Sequence, residues 1–388
     1  MRQKPLHGLR VLDLTRLLPG PLATQHLADY GAEVIKVEDT GGGDYARTMG
    51  AMNGDTSFFY QIVNRGKRSL RLDLKQDEGR ALFLRLVATA DVVVEGFRPG
   101  VIDKLGVGYD VLAATNPRIV LCSISGYGQT GPYAQRAGHD INYIGYAGVL
   151  DQIGAAGGPP AIPNLQIGDL LGGSLSALVG LLVAIIDARA TGRGRHVDVA
   201  MTDAALAHVI FPLAEVLAHG RVRPRGEDLL TGGVPCYGVY ETADGRHMAV
   251  GALEEKFWGR VCDTLARPDL KADHLATGAD GARARAEVAA IFRRRTQSEW
   301  VTIFDRVDCC VTPVLHLEES LDDAQIAARG MVIDVDGVRQ FAPPVRLSDF
   351  ELGDVAPAPD AGADSDAILA GLGLDAVAIA QLRDAGVI

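Results

Sequence analysis

The chain has 388 residues, 47% of them hydrophobic and 22% charged, an ordinary globular composition that excludes the disordered and fibrous classes. Its length suits about two to three domains and a core that needs no disulfide or metal staple. A formal net charge of -11 argues against a general nucleic-acid binder, although a local basic cluster can still hold phosphates because fields are screened over roughly 8 Å.

Residues 1–5 show no secretory pattern and lead into a buried strand over 10–14, so a cytoplasmic protein is expected. Residues 15–21 read as a Gly/Pro turn, 22–30 as a helix closed by Gly31, and 33–37 as a second strand. This unit implies a parallel sheet with a crossover helix. Its turn, Leu17-Leu-Pro-Gly-Pro21, lacks the G-x-G-x-x-G glycines that let a backbone approach a pyrophosphate, which argues against a dinucleotide site despite Glu38. The alternation continues with a strand over 69–74, a helix over 77–90, a strand over 91–95, a short helix over 101–105 and a strand over 118–123. A Gly-rich loop over 126–138 follows. The pattern predicts α/β architecture with a large doubly wound, Rossmann-like parallel-sheet domain.

The apolar run 170–186 is short for a membrane span, which needs about 20 residues, and is expected to be a buried helix. From Gly232 the character changes. Two β-rich runs flank Thr242-Ala-Asp-Gly245, a hairpin signal, and Thr296 with Glu299 forms a capping box. A smaller α+β domain is therefore expected over 225–325, beside a large domain over 1–200 to which 330–388 returns. Residues 201–224 and 326–335 are the expected linkers, and a terminal amphipathic helix is expected near 375–384. The five cysteines are odd in number and repeat no framework spacing, which fits a reducing compartment. Cys309-Cys310 reads as two small buried residues in a strand.

Five places could carry chemistry. Arg65, Lys67, Arg68, Arg71 and Lys75 put five cations into eleven residues, which suits a polyphosphate or a solvated basic turn. Arg98 follows a strand, where open α/β sheets bind ligands. His139, in Gly138-His-Asp-Ile-Asn-Tyr143, opens a helical segment, where the dipole favours a neutral imidazole and backbone N–H groups can hold an oxyanion. It could equally only cap or pack. Asp169 precedes the apolar helix and also suits an N-cap; Glu254 lies at a strand-to-helix junction and also suits a first-turn carboxylate. No H-E-x-x-H, C-x-x-C, Walker or G-x-S-x-G pattern occurs, so no metal site is expected.

Eight motifs in one order resemble the family III CoA transferases and, inside that superfamily, the alpha-methylacyl-CoA racemase branch. They are Leu17-Leu-Pro-Gly-Pro21, Gly31-Ala-Glu-Val-Ile-Lys-Val37, Arg65-Gly-Lys-Arg-Ser69, Glu95-Gly-Phe-Arg-Pro-Gly100, Ser125-Gly-Tyr-Gly-Gln-Thr-Gly131, Ala137-Gly-His-Asp-Ile-Asn-Tyr143, Thr242-Ala-Asp-Gly245 and Asp308-Cys-Cys-Val-Thr-Pro-Val314. The resemblance implies an acyl-CoA enzyme of lipid metabolism with no resident cofactor, CoA being part of the substrate. In the racemases an aspartate, matched by Asp169, and a histidine, matched by His139, flank the α-carbon of a 2-methylacyl thioester. Glu254 matches the histidine's partner, in a segment that replaces the transferases' glycine-rich loop, and the Asp140 N–H matches the enolate donor. In the transferases the matching aspartate is instead a nucleophile that forms an aspartyl-CoA thioester. CoA contacts map onto Leu72, Leu74, Lys75, Gly96, Phe97, Arg98, Lys104, Gly138 and Tyr143. Asp39 stands where a basic residue is common, so one phosphate contact is expected either to be missing or to be supplied by Arg47 or Lys67. The family also implies an interlocked homodimer; from the charge and the short apolar run, no nucleic-acid or membrane partner is expected.

Overall fold

Short runs, most of them containing valine or isoleucine, form the six strands of one parallel sheet in the computed structural model, which describes residues 3–388. The strands are β1 (Arg10–Asp13), β2 (Glu33–Glu38), β3 (Arg68–Arg71), β4 (Val92–Glu95), β5 (Val120–Ser125) and β6 (His196–Ala200). Their order across the sheet is β3-β2-β1-β4-β5-β6, the doubly wound order in which the chain reverses direction between β1 and β4.

Both faces are covered, so the central strands β1, β4 and β5 carry apolar residues on both sides, whereas β3 and β6 at the edges keep polar ones. Leu12, Ile35, Val93 and Leu121 point to one face, against Phe83 and Leu86 of helix Asp77–Val87 and against Leu369 and Ile379 from the C-terminal helices. Val11, Val34, Val92, Val94 and Val120 point to the other. There they meet Leu27 of helix Pro19–Asp29 and Leu181 and Ile185 of helix Ser176–Thr191.

The chain divides into two units: residues up to Ala147 with Asn164–His208 and Ala327–Ile388, and Gly148–Pro163 with Val209–Ile326. The expected linker 201–224 is instead mostly helical, Met201–Ala207 in the first unit and Ile210–His219 in the second, and 326–335 includes strand Val332–Val335 of a hairpin. Residues 148–163, expected within the large domain, belong to the second unit. That unit holds an antiparallel sheet of β7 (Tyr237–Glu241), β8 (His247–Gly251) and β9 (Val311–Pro313), packed on Trp258, Phe292 and Trp300. The capping box forms as read: the Thr296 N–H donates to Glu299 Oε2 at 2.8 Å and the Glu299 N–H to Thr296 Oγ1 at 3.3 Å.

Two expectations need correction. The apolar segment continues through a helix of 24 residues, Gly168–Thr191, of mean hydropathy 2.1, long and apolar enough to cross a membrane by length and composition alone. One of its faces is in the core, but Val179, Val183 and Ile186 are 64%, 63% and 68% exposed, because the sheet covers only one side of a helix that is apolar all round. Cys309 is buried as expected, whereas Cys310 is exposed and lies at φ 59° just before β9.

Candidate active site

The loops after β1 and β4 diverge where the strand order reverses, and a cleft of ≈ 500 Å³ opens between them at the carboxyl edge of the sheet. Its walls include Arg16, Phe97, Arg98, Arg136, His139 and Asp169. A second cleft of ≈ 390 Å³ shares Arg16 and Phe97 with it and continues past Leu72, Leu74 and Lys75. Two larger cavities of the second unit contain none of the expected catalytic or CoA-binding residues.

His139 is the N-cap of helix Asp140–Tyr146, its backbone N–H donating to Asn142 Oδ1 at 3.0 Å while its side chain stays exposed. The loop before it is held by Tyr143, whose hydroxyl donates to the Gly138 carbonyl at 2.5 Å. Only glycine fits at 138, since a Cβ there would lie 2.7 Å from the tyrosine ring. Burial, then the nearby Asp169, pushes the Tyr143 hydroxyl up to about 12, so it remains a donor.

Asp169 is not an α-helical N-cap. It sits in a π-helical turn, Gly168–Leu175, that runs into helix Ser176–Thr191. Such wide turns concentrate at functional sites. Gly172 lets this turn press on the neighbouring helix, for a Cβ there would lie 2.6 Å from the Met201 carbonyl oxygen. The Asp169 N–H donates to Asp140 Oδ1 at 3.0 Å, which joins the two site elements. Burial, and secondarily the Asp140 charge, push the Asp169 carboxyl up to about 7. A carboxyl at that value can both give and take a proton near neutrality.

Of the expected CoA contacts, Gly96, Phe97, Arg98, Gly138 and Tyr143 line the first cleft, and Leu72, Leu74, Lys75 and Phe97 line the second. Lys104 is exposed at the end of helix Val101–Lys104 and lines neither. Glu254 belongs to the second unit, at the N-cap of helix Glu255–Thr264, whereas the first cleft is lined by first-unit residues alone.

The basic run is largely structural. Buried Arg65 forks onto Asp29 at 3.0 and 2.8 Å, and buried Lys67 pairs with Asp13 at 3.0 Å. Arg68 pairs with Glu33, and Arg71 donates to the Thr40 and Gly41 carbonyls. Lys75 alone of the five is exposed without an ion pair among the described residues. Arg47 is likewise committed, to Glu38 at 2.6 Å and to the Tyr60 hydroxyl. Both Arg47 and Lys67 therefore spend their charge inside the protein, and neither can meet a phosphate in place of Asp39. Asp39 itself pairs with Arg16 at 2.5 Å, at the junction of the two clefts.

Sequence reading missed three residues here. Glu95 is buried beneath the β4 loop, its Oε2 accepting the Phe97 N–H at 2.6 Å, and burial pushes its carboxyl up to about 7. Arg16 and Arg136 line the first cleft. The available signal was position: Arg16 directly precedes the Leu17–Pro21 motif, and Arg136 directly precedes the Ala137–Tyr143 motif.

Known proteins align with this chain over most of its length. The chain is similar to alpha-methylacyl-CoA racemase of Homo sapiens, 38% identical over 84% of this chain and 82% of that protein. It is also similar to succinate–glutarate CoA-transferase of Agrobacterium fabrum, 36% identical over 96% of both. Among solved structures, a CAIB/BAIF family protein from Brucella suis superposes with a TM-score of 0.83 at 32% identity, over 96% of this chain and all of that one. The model of CoA-transferase family III matches residues 6–365, and the chain belongs to that family.

Proposed function

We propose that this enzyme inverts the α-carbon of 2-methylacyl-CoA thioesters by moving a proton between His139 and Asp169. The observation that carries the reading is their joint presence in one first-unit cleft, with the Asp169 carboxyl poised at about 7. A proton α to a thioester is weakly acidic, so one group must remove it while a donor stabilises the enolate oxygen. The Asp140 N–H, at the start of its helix, is the proposed donor. The opposite group then returns a proton to the other face, and the stereocentre inverts. The racemase relatives support this reading.

CoA is proposed to run along the second cleft, with its adenosine against Leu72 and Leu74 and its phosphates near Lys75 and Arg98. No resident cofactor or metal is required. A homodimer is proposed, for which the exposed Val179, Val183 and Ile186 supply an apolar surface. Glu254 would then act on His139 of the second copy as a positioning residue.

One specific observation favours a second reading. Transferase relatives match as much of the chain, at 36% and 34% identity, and Asp169 would be the nucleophile in an aspartyl-CoA thioester. The test is incubation of one enantiomer of 2-methylbutyryl-CoA in D2O. Deuterium uptake at the α-carbon with loss of optical purity is expected. No exchange, together with a hydroxylamine-sensitive thioester at Asp169 when a carboxylate acceptor is supplied, would replace racemisation with transfer.

A further inference from the structure

We propose that Arg136 selects acyl-CoA esters whose acyl chain ends in a carboxylate, its guanidinium taking that distal group inside the cleft that holds His139 and Asp169. The inference rests on the reading of this cleft as the acyl-CoA site and adds the substrate class.

The three arginines of the cleft differ in what they face. Arg16 is neutralised by Asp39 at 2.5 Å. Arg98 follows β4 and borders the Phe97 junction with the second cleft, on the side assigned to CoA. Arg136 is on the loop that leads into His139, and no carboxylate of the described residues pairs with it.

Arg136 is nevertheless held in place. Its guanidinium lies 3.8 Å from the centre of the Tyr133 ring and donates to the Tyr146 hydroxyl at 2.7 Å. Those two rings pack on each other and on Tyr127, at 5.0 to 6.1 Å between centres. The loop backbone is fixed as well: the Arg136 N–H donates to the Tyr133 carbonyl at 2.8 Å, and the Gln135 amide donates to the Pro99 carbonyl at 3.0 Å. A stacked guanidinium keeps most of its five donors, so two remain for the oxygens of a carboxylate. Most of the ordering cost of that contact is met before the ligand arrives. A purely aliphatic acyl chain would offer no acceptor to the guanidinium donors that Tyr146 leaves free and would strip water from them. The overall charge of -11 gives an anionic chain no general attraction, so its recognition needs a local cation of this kind.

The experiment compares 2-methylglutaryl-CoA with 2-methylpentanoyl-CoA, which carries a methyl where the first has its distal carboxylate. Calorimetric titration gives the Kd of each for the full-length wild type and for Arg136→Gln. The wild type is expected to favour the acidic ester, and the Kd ratio is expected to collapse roughly tenfold to a hundredfold in Arg136→Gln, as for removal of a charge-assisted hydrogen bond. Tyr146→Phe, which releases the guanidinium without removing it, is expected to lower the ratio about fivefold. An unchanged ratio in Arg136→Gln would overturn the proposal. So would equal weakening of both esters and of free CoA, which would assign Arg136 to the phosphates. Deuterium exchange on both esters tests the racemase reading separately, because the Kd ratio does not depend on turnover.

Discussion

Replacing Asp169 by asparagine should make the protein more stable and inactive at the same pH. The carboxyl is raised from 3.8 to about 7 by burial. Between those values the unfolded chain has released its proton and the folded chain keeps it, so folding loses stability as pH rises through this window. Above pH 7 the loss is complete, and below the unfolded value it vanishes. Roughly three pKa units at 1.36 kcal/mol each set a ceiling of about 4 kcal/mol. Relaxation and water entry reduce it, so about 2–4 kcal/mol is expected, or roughly 5–10 °C in Tm for a unit of this size. Asparagine is isosteric and uncharged, and the Asp169 backbone N–H that meets Asp140 survives the change. Thermal unfolding of both proteins at pH 5 and pH 8 measures the effect. Asp169→Asn should gain on the wild type as pH rises, and its α-proton exchange should fall to background. A variant less stable than the wild type at pH 8, or a stability difference that ignores pH, would refute the burial argument.

His139→Gln should lower α-proton exchange at least about a hundredfold with CoA affinity retained, measured by deuterium uptake and titration. Asp39→Asn should release Arg16 from its 2.5 Å ion pair and tighten free CoA binding several-fold, most at low salt, because it removes an anion beside the cleft junction. Lys67→Met should leave Asp13 buried without its cation and cost about 3–5 kcal/mol in denaturant unfolding, with CoA affinity little changed. An affinity loss larger than the stability loss would return Lys67 to the phosphate site. Ile186→Arg should preserve the fold of the first unit and weaken self-association in sedimentation, since it charges an exposed apolar face.

Five of the six sheet strands were legible because each holds apolar residues in a short run set off by Gly, Pro or charged residues, and local propensity and global pattern agree there. His196–Ala200 was not read: it follows Gly192-Arg-Gly-Arg195 and carries His196 and Asp198, so edge-strand polarity masked it. The hairpin around Thr242–Gly245 and the Thr296 cap were legible for the same local reason, with both signals contained in four residues.

Chemistry was less local. The sequence by itself determined which residue types stand in which order: a histidine after a glycine-rich loop, an aspartate before an apolar helix, and a dense basic run. Tertiary structure decided their meaning. It turned Arg65 and Lys67 into internal counter-ions, because Asp29 and Asp13 come to them from distant positions in the chain, and folded Arg47 back onto Glu38. It made Asp169 a weak acid, because burial depends on what packs around a residue and not on its neighbours in sequence. It left Arg136 with no carboxylate partner among the described residues, and Asp39 beside Arg16, by the same rule. Charge type is written in the chain, whereas desolvation and ion pairing arise only when distant segments meet.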